Sequence, residues 1–339
     1  MFFSPSRGFT GWAWAADEEK SAEIIICPET RTGEIESPLN AYYLARAYDK
    51  GYCGIKSDKG TAIDWYARAA EQGHMLAQYQ LGEIYFTGEG LESSDYPKAK
   101  QWYLGSALQG YGPAQLRLAF LYAEAHFKGL TPDYAEAEKW FLKAAEQNAG
   151  DAQFRLGNFY HNYKTPPDIE KAILWLTRAA EGGHRVAMFD LARLLKDRKE
   201  SGLALDWMKK SADQDFLPAQ MALSEMYAAG DGAPYDPTQS LIWTLKVAMH
   251  PMIPTYWLLK AGDIFFDGWD TIPKDYLQAT QFYKRAADKD DPHALTQLGR
   301  IYLEGLGTPI NKEKALGYLK KAAGQKDKEA MEILAHVAP

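Results

Sequence analysis

One motif recurs about every 36 residues from Ala41 to the end of this 339-residue chain. In the second copy it reads Ala77-x-x-x-Leu81-Gly82-x-x-Tyr85, then Asp95-x-x-Lys98-Ala99-x-x-Trp102-Tyr103, then Ser106-Ala107. The opening position holds Ala41, Ala77, Ala114, Ala152, Ala187, Ala219, Trp257, Ala294 and Ala330. A period of that length marks stacked helical pairs, each too small to bury its own apolar face, and it excludes a single globular core. The chain therefore reads as an all-α solenoid, a type of molecule that mostly works through an extended binding surface.

Each position of the motif has a physical reason. Four residues after the opening one stands Leu81, Leu118, Leu156, Leu191, Leu223 or Leu298, and four further on Tyr85, Tyr122, Tyr160, Tyr227, Phe265 or Tyr302. Spacing of four places them on one face of a first helix, helix A. The next residue after the leucine is small, as in Gly82, Ala119, Gly157, Ala192, Ser224, Gly262 and Gly299, which implies a closely packed backbone. Helix B opens at Asp58, Asp95, Asp133, Asp168, Asp236, Asp275 or Asn311, all good N-cap types. It carries an aromatic knob at Trp65, Trp102, Trp140, Trp175, Trp207, Trp243, Phe282 or Tyr318 and ends in a small pair such as Ala144-Ala145. Large knobs against small holes are what closely stacked helices need.

These strings, with the turns Gly88-Glu89-Gly90, Gly230-Asp231-Gly232 and Gly305-Leu306-Gly307, resemble the Sel-one-like repeat family, relatives of tetratricopeptide repeats. The resemblance covers residues 41–339, eight full repeats and a truncated ninth, and implies a right-handed superhelical solenoid of antiparallel helix pairs. Two copies depart from it. The repeat at 187–218 lacks the Gly-x-Gly turn and has Leu195 for tyrosine, which predicts a short turn; the repeat at 257–293 opens on Trp257. Residues 1–40 fall outside the repeats and are expected to cap the first one.

The net charge of −7 disfavours nonspecific binding to nucleic acid or anionic membranes, and no run approaches the ~20 apolar residues of a membrane span. Pro5, Gly8 and Gly11 interrupt any signal-peptide core near the start. The two cysteines, Cys27 and Cys53, both lie near that end of an otherwise cysteine-free chain, which favours a disulfide over two thiols. The disulfide tilts the expected localisation toward the periplasm; two thiols would return it to the cytoplasm. No catalytic, metal-binding or phosphate-binding motif appears, so no enzyme activity, cofactor or metal is expected. His74 and His184 share one slot after helix B, where packing or capping explains them better than a metal.

By analogy with tetratricopeptide repeats, the helix A face opposite the core stripe lines a concave groove. The candidates there are Tyr43, Tyr79, Glu83, Phe86, Phe120, Phe154, Asn158, His161, Phe189, Arg193, Lys196, Glu225, Asp263, Phe266 and Arg300. Aromatics mixed with charges are the composition of a protein interface, although packing against the next helix A accounts for aromatics equally well. The expectation is a monomeric, non-enzymatic scaffold holding a protein partner. The resemblance implies roles from an immunity protein that neutralises a secreted effector, such as a type VI secretion phospholipase, to a periplasmic adaptor for polysaccharide export, motor or envelope assembly. Small-ligand binding or catalysis is a remote third.

Overall fold

The computed structural model describes residues 37–124, 131–147, 149–251 and 253–337. Among these residues the chain is helical throughout, with one isolated bridge between Trp269 and Ile272. Its helices run α1 (Pro38–Lys50), α2 (Lys59–Glu71), α3 (Met75–Thr87), α4 (Tyr96–Leu108), α5 (Gly112–Ala123) and α6 (Tyr134–Ala145) in a first compact unit, Met1–Asn148. The second unit, Ala149–Pro339, holds α7 (Gly150–Asn162), α8 (Ile169–Glu181), α9 (Arg185–Asp197), α10 (Ser201–Asp213), α11 (Leu217–Ala229), α12 (Pro237–Ala248), α13 (Thr255–Asp267), α14 (Tyr276–Ala287), α15 (Pro292–Glu304), α16 (Lys312–Gly324) and α17 (Lys328–Val337). Odd numbers are helices A and even numbers helices B. No helix among the described residues is long and apolar enough to cross a membrane.

The helix starts follow the capping chemistry of the sequence. Asp58, Asp95, Asp133, Asp168, Asp236, Asp275 and Asn311 each accept a main-chain N–H from the first turn of the helix they open. His74 and His184 cap α3 and α9 with Nδ1, accepting from Ala77 at 3.2 Å and Ala187 at 3.1 Å. The same imidazoles lie flat on the preceding helix A, His74 on Tyr42 and His184 on Phe154, each at 4.6 Å between centroids. Burial lowers the His74 pKa, which suits a nitrogen that must stay unprotonated to accept. The repeat at 187–218, which lacks a Gly-x-Gly turn, joins α9 to α10 through three residues, Arg198–Glu200. Trp257, standing where other repeats have alanine, is 1% exposed.

The interior of each pair is a fit between a small residue on helix A and a large one on helix B. A Cβ on Gly82, Gly157, Gly262 or Gly299 would stand under 3.0 Å from Tyr103, Leu176, Tyr283 or Leu319 respectively. In the α5–α6 pair the residues at the same two positions, Ala119 and Phe141, are both fully buried. In the α11–α12 pair the Ser224 hydroxyl bonds Thr244 at 2.7 Å. The residue filling the hole is therefore the one after the tryptophan position, and it is the deeper of the two. Tyr103, Leu176 and Leu319 are fully buried, while Trp102 and Tyr318 are half-buried. The tryptophans instead carry a cation from one helical turn later. Arg68, Lys143, Arg178, Lys210 and Lys246 sit 3.9–4.5 Å above Trp65, Trp140, Trp175, Trp207 and Trp243.

Successive pairs are tied by side-chain amides. Gln78, Gln115 and Gln220 donate to the carbonyls of Ala70, Ala107 and Ala212 at 3.1–3.2 Å. Gln109 in turn donates to Gly73 and Gln78, and Gln147 to Gly110 and Gln115. The links from Gln78, Gln115 and Gln220 add a second donor to carbonyls at the ends of helices B that already accept from the turn that follows, Ala70 from Gly73, Ala107 from Gly110 and Ala212 from Asp215.

Candidate protein-binding face

In the first unit the aromatics on helix A pack mainly against helix B of their own pair, with Tyr42 and Tyr79 also reaching the cap residue of the next helix A. Tyr79 meets Tyr111 edge-on at 5.1 Å and Tyr103 at 5.9 Å. Phe86 meets Tyr96 edge-on at 5.6 Å. Phe120 is 8% exposed, edge-on to Phe141 at 5.1 Å, and is interior packing rather than surface. In the first repeat Tyr42, not Tyr43, takes the position of Tyr79, because it is Tyr42 that stacks on the following cap residue, His74. Tyr43 is half-buried beside it, 5.6 Å between rings. Cys53 sits in the turn after α1 with φ 58°. Cys27 lies outside the described residues, so the proposed bridge lies outside them too, as does most of the 1–40 extension.

The polar centre of this unit is Glu83. Its Oε1 accepts from the Tyr103 hydroxyl at 2.6 Å and lies 2.7 Å from Arg117 Nε as an ion-pair contact, and its Oε2 accepts from Arg117 Nη2 at 2.8 Å. This two-pronged pair joins α3 to α5, with the Arg117 guanidinium also 5.7 Å from the Phe86 ring centroid. Burial, and then the Glu83 charge, push the Tyr103 and Tyr79 hydroxyls well above their ordinary value, so both stay neutral, Tyr103 donating to Glu83 and Tyr79 accepting from Arg117.

The second unit repeats the arrangement with other chemistry. Phe154 stacks on His184, and Phe189 meets Phe216 edge-on at 5.4 Å. Asn158 bonds Asp190, whose carboxyl is pushed up by burial and pulled back by Arg193, His161 and His184. Lys196 pairs with Asp231 at 2.7 Å. Glu225 is exposed beside Lys260, whose Nζ donates to Ser224 Oγ at 3.0 Å and whose pKa burial lowers. Asp263 accepts from the Tyr283 hydroxyl at 2.7 Å and faces His293 Nε2 at 3.0 Å. Phe266 is 5% exposed and lies under Arg300, which pairs with Glu329 at 3.3 Å.

A rule emerges that the sequence did not disclose. In five repeats the polar residue six past the opening position faces a polar residue of the next helix A or its N-terminus: Glu83 with Arg117, Asn158 with Asp190, Glu225 beside Lys260, Asp263 with His293, Arg300 with Glu329; Arg193, at the same position, lies instead near Phe189 of its own helix. Sequence reasoning misses the second half of each pair, Arg117, Asp190, Lys260, His293 and Glu329. A charge three past the opening position, on a helix whose neighbours there are apolar, is the available signal for the first three. No group of three or more potential metal ligands occurs among the described residues.

Comparison with known proteins agrees with this geometry. The model of the Sel1 repeat matches residues 41–74, 76–111, 112–148, 150–184, 186–216, 217–250, 256–291 and 292–327. The crystal structure of c5321, a protective antigen of uropathogenic Escherichia coli, is 29% identical with a TM-score of 0.65, over 90% of this chain and 66% of that one. A Sel1 repeat protein of Oxalobacter formigenes is 30% identical with a TM-score of 0.60, over 88% and 86%. The chitin synthase regulator SKT5 of Saccharomyces cerevisiae is 33% identical over 197 residues, 52% of this chain. The chain spans 34% and 27% of the two curated relatives it matches. Sel1 repeats form scaffolds suited to protein–protein interaction, and this chain, all-helical with eight matched copies, belongs to the Sel1 repeat family.

Proposed function

We propose that the chain is a non-catalytic scaffold that binds a protein partner through its helix A faces. One observation carries this reading. The framework needs of each repeat are met largely inside the helix pairs, yet in six repeats the helix A position six past the opening residue (Glu83, Asn158, Arg193, Glu225, Asp263, Arg300) stays polar and solvent-accessible, with Arg193 and Glu225 exposed. A scaffold that presents partly paired charges beside half-buried rings has the makings of an interface rim and its anchors. The acidic balance of −7 favours a basic partner. The finer form of the proposal is an immunity protein in the periplasm that occludes the basic cleft of a secreted effector, a phospholipase among the candidates.

The test is affinity capture from the native organism followed by charge reversal. Arg193→Glu and Glu225→Lys should each weaken the captured complex by about tenfold, some 1.4 kcal/mol, with the melting temperature held. Reversal of Lys171 or Lys314 on helix B is the control. A larger loss from the controls would move the interface to the other face, and a captured effector whose activity is untouched by the scaffold would end the immunity reading.

A further inference from the structure

Within the second unit, α13 and the turn after it border a pocket of about 500 Å³. Two of its walls are aromatic. Tyr256, on the first turn of α13, is 57% exposed. Trp269 is fixed by a pair of main-chain hydrogen bonds, its N–H to the Ile272 carbonyl at 2.9 Å and the Ile272 N–H to its own carbonyl at 2.8 Å. Tyr235, outside the pocket, braces the Trp269 ring edge-on at 6.4 Å. Ile264 forms part of the floor.

The charges of the pocket are unequal in what already occupies them. Lys260 reaches Ser224 at 3.0 Å and lies over the Trp257 ring at 4.7 Å, with Glu225 nearby to balance it. Asp263 serves Tyr283 and His293. Asp267, which also lines the pocket, is exposed and makes no hydrogen bond or ion pair among the described residues. It is moreover the last residue of α13, where unpaired carbonyls already gather negative potential and a carboxylate is disfavoured. Helix stability gives no reason for an acid at this position.

The geometry points to this pocket as the seat of an arginine side chain presented by the protein partner. A guanidinium satisfies three features together. It stacks on aromatic faces, it takes a carboxylate in a two-pronged hydrogen bond, and it is favoured at the negative end of a helix. A carboxylate ligand would meet Asp263 and Asp267 as like charges, and a wholly apolar side chain would strip water from Asp267 with nothing in return. The inference rests on the protein-binding reading and specifies the partner's chemistry at one point of contact.

The experiment is methyl NMR of the full chain, with the Ile264 δ1 methyl as reporter, titrated with N-acetyl-arginine methylamide. A single side chain of this size should bind with a dissociation constant on the order of 1 mM. The expected result is a saturable shift at Ile264 that the acetyl-glutamate analogue does not produce. Asp267→Asn should weaken arginine binding at least about fivefold, while its melting temperature stays level or rises because the helix end is relieved. No saturable arginine shift, an equal shift with the glutamate probe, or an unchanged affinity in Asp267→Asn would each overturn the proposal. A stronger response to the lysine analogue would overturn the assignment to arginine. If the arginine site fails while the chain still holds its captured partner through Arg193 and Glu225, the scaffold reading survives without this pocket.

Discussion

In the unit Met1–Asn148 the Tyr103 ring fills the hole at Gly82 and its hydroxyl reaches Glu83; in Ala149–Pro339 the Tyr283 ring fills the hole at Gly262 and its hydroxyl reaches Asp263. The two arrangements share the glycine, the tyrosine that fills its hole and a carboxylate one residue past the glycine, and diverge at the group that completes them. Arg117, 9% exposed, grips Glu83 with two nitrogens and cannot lose its charge at any ordinary pH. His293, with its side chain 42% exposed, offers Asp263 one ring nitrogen, and that hydrogen bond raises the pKa of an imidazole that can lose its charge. The tyrosine in its glycine hole is thus framework common to both units. The carboxylate's second partner is variable: it makes a closed ion pair in one unit and an open, pH-sensitive contact in the other.

The largest expected effect comes from removing that second partner. Arg117→Ala should cost about 3–5 kcal/mol, because it leaves Glu83 partly buried without its counter-charge. His293→Ala should cost less than ~1 kcal/mol, the range of a half-exposed pair screened by water. Urea unfolding, with hydrogen exchange resolved over α3–α5 and α13–α15, measures both. Replacing Glu83 and Arg117 together, by Gln and Met, should recover most of the Arg117→Ala loss, since no charge is then left alone. Equal costs for the two single variants would break the contrast between the units.

The shared half of the comparison gives the next effect. Gly82→Ala and Gly262→Ala should each destabilise by ~1–3 kcal/mol, since the added methyl must displace a buried tyrosine ring. Gly317→Ala, in the middle of α16 with nothing within 4 Å of its Cβ, should stabilise by ~0.5–1 kcal/mol through helix propensity alone. A neutral result at Gly82 together with a loss at Gly262 would show that the two holes are not equivalent.

These holes mark the limit of what the sequence discloses. The periodic stripe, the N-caps and the short turn at Arg198–Glu200 are legible because each depends on residues close together in the chain. Which of two adjacent large residues enters the hole is a different matter. Trp102 and Tyr103 are both aromatic, and Leu176 and Leu319 fill the same place elsewhere, so hydrophobicity does not separate knob from edge. The glycine across from them does, but only once the helices are laid side by side. The register of the first repeat is legible in principle, since Leu44-Ala45 aligns with Leu81-Gly82 and so puts Tyr42 against Tyr79. For Asp190 only half is legible: its charge between apolar neighbours marks it out, but its partners Asn158 and His161 stand some 30 residues away with nothing local that points to them.

The smallest effect is the dependence on pH, and the two units should show it with opposite sign. His74 has its pKa lowered by burial, so the unfolded chain takes up its proton first as pH falls. Its contribution is therefore complete above the ordinary value of 6.5 and is lost as pH drops through 6.5 toward the folded value, when the proton displaces the Ala77 N–H from Nδ1. His293 is held above 6.5 by its hydrogen bond to Asp263, with the charges of Asp263, Glu329 and Asp291 adding to it. Its contribution is complete below 6.5 and is lost as pH rises through the folded value. Between about pH 5.5 and 8, amide exchange after correction for intrinsic rates should thus slow around α3 as pH rises and quicken around α13 and α15. His293→Gln should remove the second trend and leave the first, and His74→Asn, which keeps a capping oxygen, should do the reverse. Parallel trends in both regions would mean that the imidazoles do not set them, and the open contact at Asp263 would lose its distinction from the closed pair at Glu83.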